Sequence, residues 1–162
     1  MLFRSLLIND KSSLGGSTIY QDDQNYKINE KISSDWLNNE INNLKNKENL
    51  TILNRTSLAA YHSYNFLLAR ENISDHKSLH ERSNQLRQRL WKIRAKKVIL
   101  ATGAIERPLI FNNNDRPGVM LANSVKKYID YYGVRCGNKN VIFTNNDTAY
   151  ETRSEEHTSE LQ

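Results

Sequence analysis

The chain has 162 residues, 38% hydrophobic and 25% charged, with a formal net charge of +5. That length holds one domain with a buried core, and the composition reads as polar but globular. The single cysteine, Cys136, excludes an intramolecular disulfide framework, a thiolate zinc cluster and a redox-active thiol pair, which argues against a disulfide reductase.

The positive charge raises nucleic acid or a membrane surface as a partner. However, Arg87, Arg89, Lys92, Arg94, Lys96 and Lys97 are interleaved with apolar residues, the spacing of a solvated strand face rather than a basic block. The apolar run within Met1–Asp10 is too short for a signal peptide or a membrane span. Cysteine usage fits a reducing, cytoplasmic compartment.

Leu2 to Ile8 reads as a buried strand ending at Asn9-Asp10, with Leu14-Gly15-Gly16-Ser17 next. In dinucleotide-binding folds an acidic residue at the end of the second strand bonds a ribose hydroxyl, which makes Asp10 a candidate. The alternative is a turn aspartate before a glycine pair. The Gly-x-Gly-x-x-Gly loop that should precede such a strand is absent from the 162 residues, so the chain is expected to begin within the unit.

Ser33 or Ser34 can cap a helix running to about Lys47, with Trp36, Leu37, Ile41 and Leu44 as its apolar stripe. Leu50–Leu53 reads as the next parallel strand, and the strand–helix–strand order is an α/β signal. From residue 55 to 94 the pattern changes. Thr56–His62, Phe66–Arg70 and Gln88–Arg94 read as antiparallel strands around a polar loop from Glu71 to Leu86. Tyr61, Tyr64, Trp91 and Ile93 are expected to pack there. His62, His76 and His80 lack partners at metal-ligand spacing and are assigned no chemistry.

Val98–Leu100 is a continuous apolar run, suited to a strand buried on both faces of a parallel sheet. It ends in Ala101-Thr102-Gly103, small residues at the edge where ligands lie in open α/β sheets, with Gly103 able to turn at positive φ. The alternative is an ordinary turn. Pro108 pushes Arg107 out of helix, so Glu106-Arg107 is loop, free to contact a cofactor or subunit or to pair at the surface. Asp115-Arg116-Pro117-Gly118 has β-turn composition. The next helix is expected from Val119 to Tyr132, burying Leu121, Val125, Tyr128 and Ile129, exposing Lys126 and Lys127, and closed by Gly133. Val141–Phe143 should begin another parallel strand.

QRLWKIRAKKVILATGAIERPLIFNNN (residues 88–114), DRPGVMLA (115–122) and VIFTNNDTAY (141–150) together resemble the alpha subunit family of heterotetrameric sarcosine oxidase, over roughly residues 1–152. The resemblance implies a partial Rossmann-like FAD/NAD(P)-binding domain of α/β class, related to the pyridine nucleotide-disulfide oxidoreductases. In it an antiparallel β-meander (about 55–94) is inserted before an ATG strand (97–103), and a second Rossmann-like unit starts at about 140–152. It implies oxidative demethylation of sarcosine to glycine, in an assembly with beta, gamma and delta subunits, and NAD held by this domain, with FAD as the alternative.

The cofactor-binding residues would be Asp10, Gly15, Gly16, Ala101, Thr102 and Gly103. No residue is assigned as catalytic or metal-binding. Where related reductases carry a second glycine fingerprint, this chain reads Thr144-Asn145-Asn146-Asp147, which puts a second nucleotide site there in doubt. A subunit of another FAD- or NAD-dependent amine or opine oxidase is the competing reading, as is an inactive truncated chain with a structural or binding role.

Arg153–Gln162 (RSEEHTSELQ) breaks the pattern and resembles the translation of a widely used sequencing-library adapter, so it is expected to be non-native. Without its one arginine and three glutamates the balance is 22 Lys and Arg against 15 Asp and Glu, a net +7.

Overall fold

The computed structural model describes residues 4–20, 27–145 and 149–150. The expectations for Leu2, Phe3 and the 153–162 tail lie outside the described residues. Described residues up to Gly16 and over Ser34–Ala101 form one compact unit; those of Ser17–Ser33 and from Thr102 onward form another.

The first unit opens with β1 (Ser5–Ile8), which pairs in parallel with β4 (Leu50–Leu53), Ser5 opposite Leu50 and Ile8 opposite Leu53. Parallel strands cannot be joined by a tight turn. Here the connection includes α1 (Ser33–Lys45), with Asp35 in its first turn and Lys45 in its last, where each sign suits the helix dipole. Trp36, Leu37, Ile41 and Leu44 are half-buried, at the expected helical spacing. Beyond Ile8 the pairing continues: Asn9 N–H donates to Leu53 O (2.9 Å) and Thr56 N–H to Asn9 O (2.9 Å). β1 is less buried than expected, with Leu6 39% exposed, because it has only one paired neighbour among the described residues.

The rest of this unit is the antiparallel sheet β5 (Thr56–His62), β6 (Phe66–Asn72) and β7 (Gln88–Arg94), in that order, with a bulge between Leu58 and Ala60. Side chains alternate across it. One face carries the buried Thr56, Leu67 and Ala69, which with Leu53 and Ser74 make this unit's core. Trp91 and Glu71 join that face, and the indole N–H donates to the carboxylate at 2.7 Å. The β5–β6 connection is the tight turn Ser63–Asn65, where Tyr64 and Asn65 stand in the left-handed region at φ of 60° and 52°. Asn65 fixes this tip: Tyr61 O–H donates to its Oδ1 (2.6 Å), and its Nδ2 donates to Lys96 O (3.1 Å).

The polar stretch after β6 is an organised loop. Ser78 and Glu81 form a capping box, with Ser78 N–H and Oγ–H donating to the Glu81 carboxylate at 3.0 and 2.8 Å. Asp75 is its centre, accepting from Arg82 (3.2 Å), Arg87 (2.7 Å) and Gln88. The hydrogen bond from Arg87, then that from Gln88, holds the Asp75 carboxyl below its ordinary value of 3.8 against a smaller opposing effect of burial. A depressed folded-state pKa adds stability above the unfolded value, and that stability is lost as pH falls through the folded value. Asp75→Asn is therefore expected to flatten the acid limb of the stability profile below about pH 4, read as urea midpoints from pH 2 to 7, and to leave the slope above pH 6 unchanged.

In the second unit, β2 (Lys27–Ile28) and β3 (Lys31–Ile32) make a two-residue hairpin. Asn29 and Glu30 are both at positive φ (49° and 65°), as a type I′ turn requires. α2 (Ala122–Asp130) starts later than expected. Leu121 at its N-cap has no side-chain acceptor, and Glu106 supplies one from the preceding loop by accepting Asn123 N–H at 2.9 Å. Gly133, at φ 62°, ends the helix and donates to Ile129 O at 3.0 Å.

The face of α2 differs from expectation. Lys126 is buried and paired with Asp130 at 2.9 Å, one helical turn on, while Tyr128 is 44% exposed. Lys127 lies over the rings of Tyr20 (5.0 Å) and Tyr132 (5.7 Å). Tyr20 foremost, through a hydrogen bond, raises its pKa above the ordinary lysine value.

Two expected strands carry no strand pairing. Val98–Leu100 leaves Ile99 90% exposed, and Val141–Phe143 leaves Val141 97% exposed. A doubly buried parallel strand needs a ladder partner and cover on both faces, and neither run has a paired neighbour among the described residues. The fold is thus mixed α/β, with one parallel pair, one antiparallel meander, one short hairpin and two α-helices among the described residues.

Candidate functional site

The carboxyl ends of β1 and β4 meet in a loop system organised by Asn9. Its Nδ2 group lies within hydrogen-bonding distance of Lys11 O (3.1 Å), Ser13 O (2.9 Å) and Asn54 Oδ1 (2.9 Å), and its Oδ1 accepts from Lys11 N–H at 3.4 Å. Arg55 N–H donates to Lys11 O at 2.8 Å, and the buried Thr56 Oγ–H donates to Asn54 O at 2.9 Å. Residues 9–13 are thereby tied to the start of the meander. The glycines that follow are turn-formers, Gly15 at φ 130° and Gly16 at φ 57°, a conformation that costs a residue with a Cβ.

Between this loop and α1 lies a cleft of about 340 Å³, lined by Ser12, Ser13, Leu14, Asn38, Ile41, Asn42, Lys45, Ile52 and Asn54. Its lining combines apolar area from Leu14, Ile41 and Ile52 with hydroxyl and carboxamide groups that can both donate and accept. It includes one cation and no carboxylate. A cleft of that size, at the carboxyl edge of a parallel pair, has the volume and mixed polarity of a small-ligand site.

Asp10 borders this loop without lining the cleft. Its carboxylate is 59% exposed and lies 3.1 Å from Lys11 Nζ. Ala101 ends the first unit, while Thr102 and Gly103 belong to the second; all three are exposed, and Gly103 turns the chain at φ 70°. Sequence reasoning missed Asn9, Ser12, Ser13, Asn38, Asn42, Lys45 and Asn54. A signal existed for three of them: Asn38, Asn42 and Lys45 fall at i, i+4 and i+7 and so share one stripe of α1. Among the described residues no three His, Cys, Asp or Glu side chains converge as a metal site. No helix is long and apolar enough to cross a membrane among these residues.

No protein-family model matches the chain. Three curated relatives do, each named sarcosine oxidase subunit alpha. That of Corynebacterium sp. (strain P-1) is 38% identical over 147 residues, which is 91% of this chain and 15% of the relative. That of Corynebacterium sp. (strain U-96) is 36% identical over 152 residues, 94% and 16%. The Rhizobium meliloti (strain 1021) protein is 37% identical over 151 residues, 93% and 15%. The chain thus spans about 15% of the length of the curated relatives it matches. Over that segment, and along nearly all of its own length, the chain is similar to sarcosine oxidase alpha subunits at 36–38% identity.

Proposed function

We propose that this segment supplies the adenosine side of a dinucleotide site in an oxidoreductase of the sarcosine oxidase type. The observation that carries the reading is the cleft beside Asn9, set at the carboxyl edge of the β1–β4 pair and bordered by a turn with both glycines at positive φ. NAD is the favoured ligand and FAD the alternative.

The donor set suits the nucleoside half: Asn38, Asn42 and Asn54 offer paired donors and acceptors to a base edge or sugar hydroxyls, and the second oxygen of Asp10 is available to a ribose. A volume of about 340 Å³ takes a nucleoside and not a whole dinucleotide, so the pyrophosphate and the second nucleoside need residues beyond this cleft. The dinucleotide, when bound, supplies hydride chemistry. The residues of this chain bind and orient it, and none is assigned a proton-transfer role.

At the level of the whole protein, the reading is oxidative demethylation of sarcosine to glycine by a cytoplasmic assembly with beta, gamma and delta subunits. Ala101, Thr102 and Gly103 are proposed to lie beneath the dinucleotide. The test is equilibrium dialysis of the full-length protein against NAD, FAD and ADP-ribose. NAD and ADP-ribose are expected to bind, and Asp10→Asn to weaken both about tenfold through loss of a charge-assisted hydrogen bond. Binding of FAD alone would replace NAD by FAD, and binding of none would contradict the reading.

A further inference from the structure

A site that takes NAD and refuses NADP carries a carboxylate at the end of the second strand, where it bonds the ribose 2′-hydroxyl and repels a 2′-phosphate. A site for the phosphorylated nucleotide sets a cation nearby instead. In this chain the residue directly after β1 is Asn9, which carries no charge. Its amide is also spent within the loop, on Lys11 O (3.1 Å), Ser13 O (2.9 Å) and Asn54 Oδ1 (2.9 Å). The strand end itself therefore offers no carboxylate to a ribose, and Asp10, next in sequence, borders the cleft without lining it.

The charge balance at the cleft is positive. Asp10 is already paired with Lys11 at 3.1 Å, so that border pair sums to zero. Lys45 lines the cleft and has no ion-pair partner among the described residues. Glu40, the acid of α1 nearest to it in sequence, is exposed and lies off the stripe of Asn38, Asn42 and Lys45. Ser12 and Ser13 add two hydroxyls that can donate to phosphate oxygens. A helix carboxyl end disfavours an anion, but here Asn42 O and Leu44 O already accept from Asn46 N–H (3.1 Å) and Lys47 N–H (3.2 Å).

We infer that this cleft accepts a 2′-phosphate on the adenosine ribose, so that the site takes NADP at least as tightly as NAD. The inference rests on the dinucleotide reading and adds to it the class of nucleotide. Lys45 is the residue that determines the selectivity, through a charge-assisted contact to the phosphate that Ser12 and Ser13 supplement. Lys11 contributes by offsetting the repulsion that Asp10 would otherwise exert on the same group. The apolar walls of the cleft, Leu14, Ile41 and Ile52, lower the local dielectric and strengthen the contact beyond that of a lysine in open water.

Equilibrium dialysis of the full-length protein against NAD, NADP, 5′-AMP and 2′,5′-ADP tests it, the last two isolating the adenosine half. Each 2′-phosphorylated ligand is expected to bind at least as tightly as its unphosphorylated counterpart. Lys45→Gln is expected to shift the ratio of the NADP and NAD dissociation constants about tenfold toward NAD, whereas Lys45→Arg keeps it. Lys11→Gln, which uncovers the charge of Asp10, shifts the ratio in the same direction as Lys45→Gln. Unchanged circular dichroism shows that the variants are folded. NAD bound more tightly than NADP, or a ratio that Lys45→Gln does not move, would overturn the inference and leave the dinucleotide reading standing. Binding of neither nucleotide would overturn that reading and the inference with it.

Discussion

Ala69→Asp is expected to cost about 4 kcal/mol or more, a loss comparable to the whole stability of a small domain. Ala69 is fully buried at the centre of β6, with Leu58 opposite it on β5 and Trp91 on β7. A carboxylate there would leave water, and the cation on its face, Arg89, is already engaged by Glu71 at 3.4 Å. Glu71, two residues on along the same face, already accepts from Trp91 and Arg89 and would repel it. Ala69→Ser, which adds an oxygen and no charge, is expected to cost about 1–2 kcal/mol. Urea unfolding followed by tryptophan fluorescence checks both, and a midpoint for Ala69→Asp equal to that of the parent would show that β6 is not the centre of this unit's core.

Asn9→Ala is expected to have the second-largest effect, about 1–2 kcal/mol in stability with a larger loss of nucleotide affinity. The side chain has three partners in two segments: Lys11 O and Ser13 O within its own loop, and Asn54 at the end of β4. Its half-buried position lets water replace part of these bonds, which limits the cost to folding. Binding has no such replacement, because the loop carries Ser12, Ser13 and Leu14 into the cleft and displacing it by an ångström removes their alignment. Asn9→Asp retains the acceptor and loses the donor, and should behave like Asn9→Ala. Thermal unfolding combined with NAD dialysis separates the two effects; a change in stability with unaltered affinity would detach Asn9 from the site.

The legible parts of the fold were those whose sequence period matched a local need. Trp36, Leu37, Ile41 and Leu44 recur at helical spacing, and α1 forms there with these residues half-buried. The meander strands were marked by alternation, as in Leu90-Trp91-Lys92-Ile93-Arg94, with Trp91 and Ile93 on the more buried side. Continuous apolar runs were less informative. Val98–Leu100 and Val141–Phe143 satisfy the composition of a buried strand, but pairing depends on a neighbour that the run itself does not specify.

The hairpin at Asn29-Glu30 was hidden because glutamate is an unusual residue at positive φ. Lys126 reads as solvated in the sequence because its burial and pairing with Asp130 depend on how α2 is covered. At the site, Asp10 and the Gly15-Gly16 turn were visible as residue types, whereas the asparagines of α1 and Asn54 became a cleft only once helix and strand were side by side.

Hydrogen–deuterium exchange on the full-length protein, with and without saturating NAD, tests the central claim most directly. The account predicts slowed exchange at the amides of residues 9–16 and 38–45, and none at the β5–β6 tip around Tyr64. Protection confined to other regions of the protein, with residues 9–16 and 38–45 exchanging at the ligand-free rate, would contradict it.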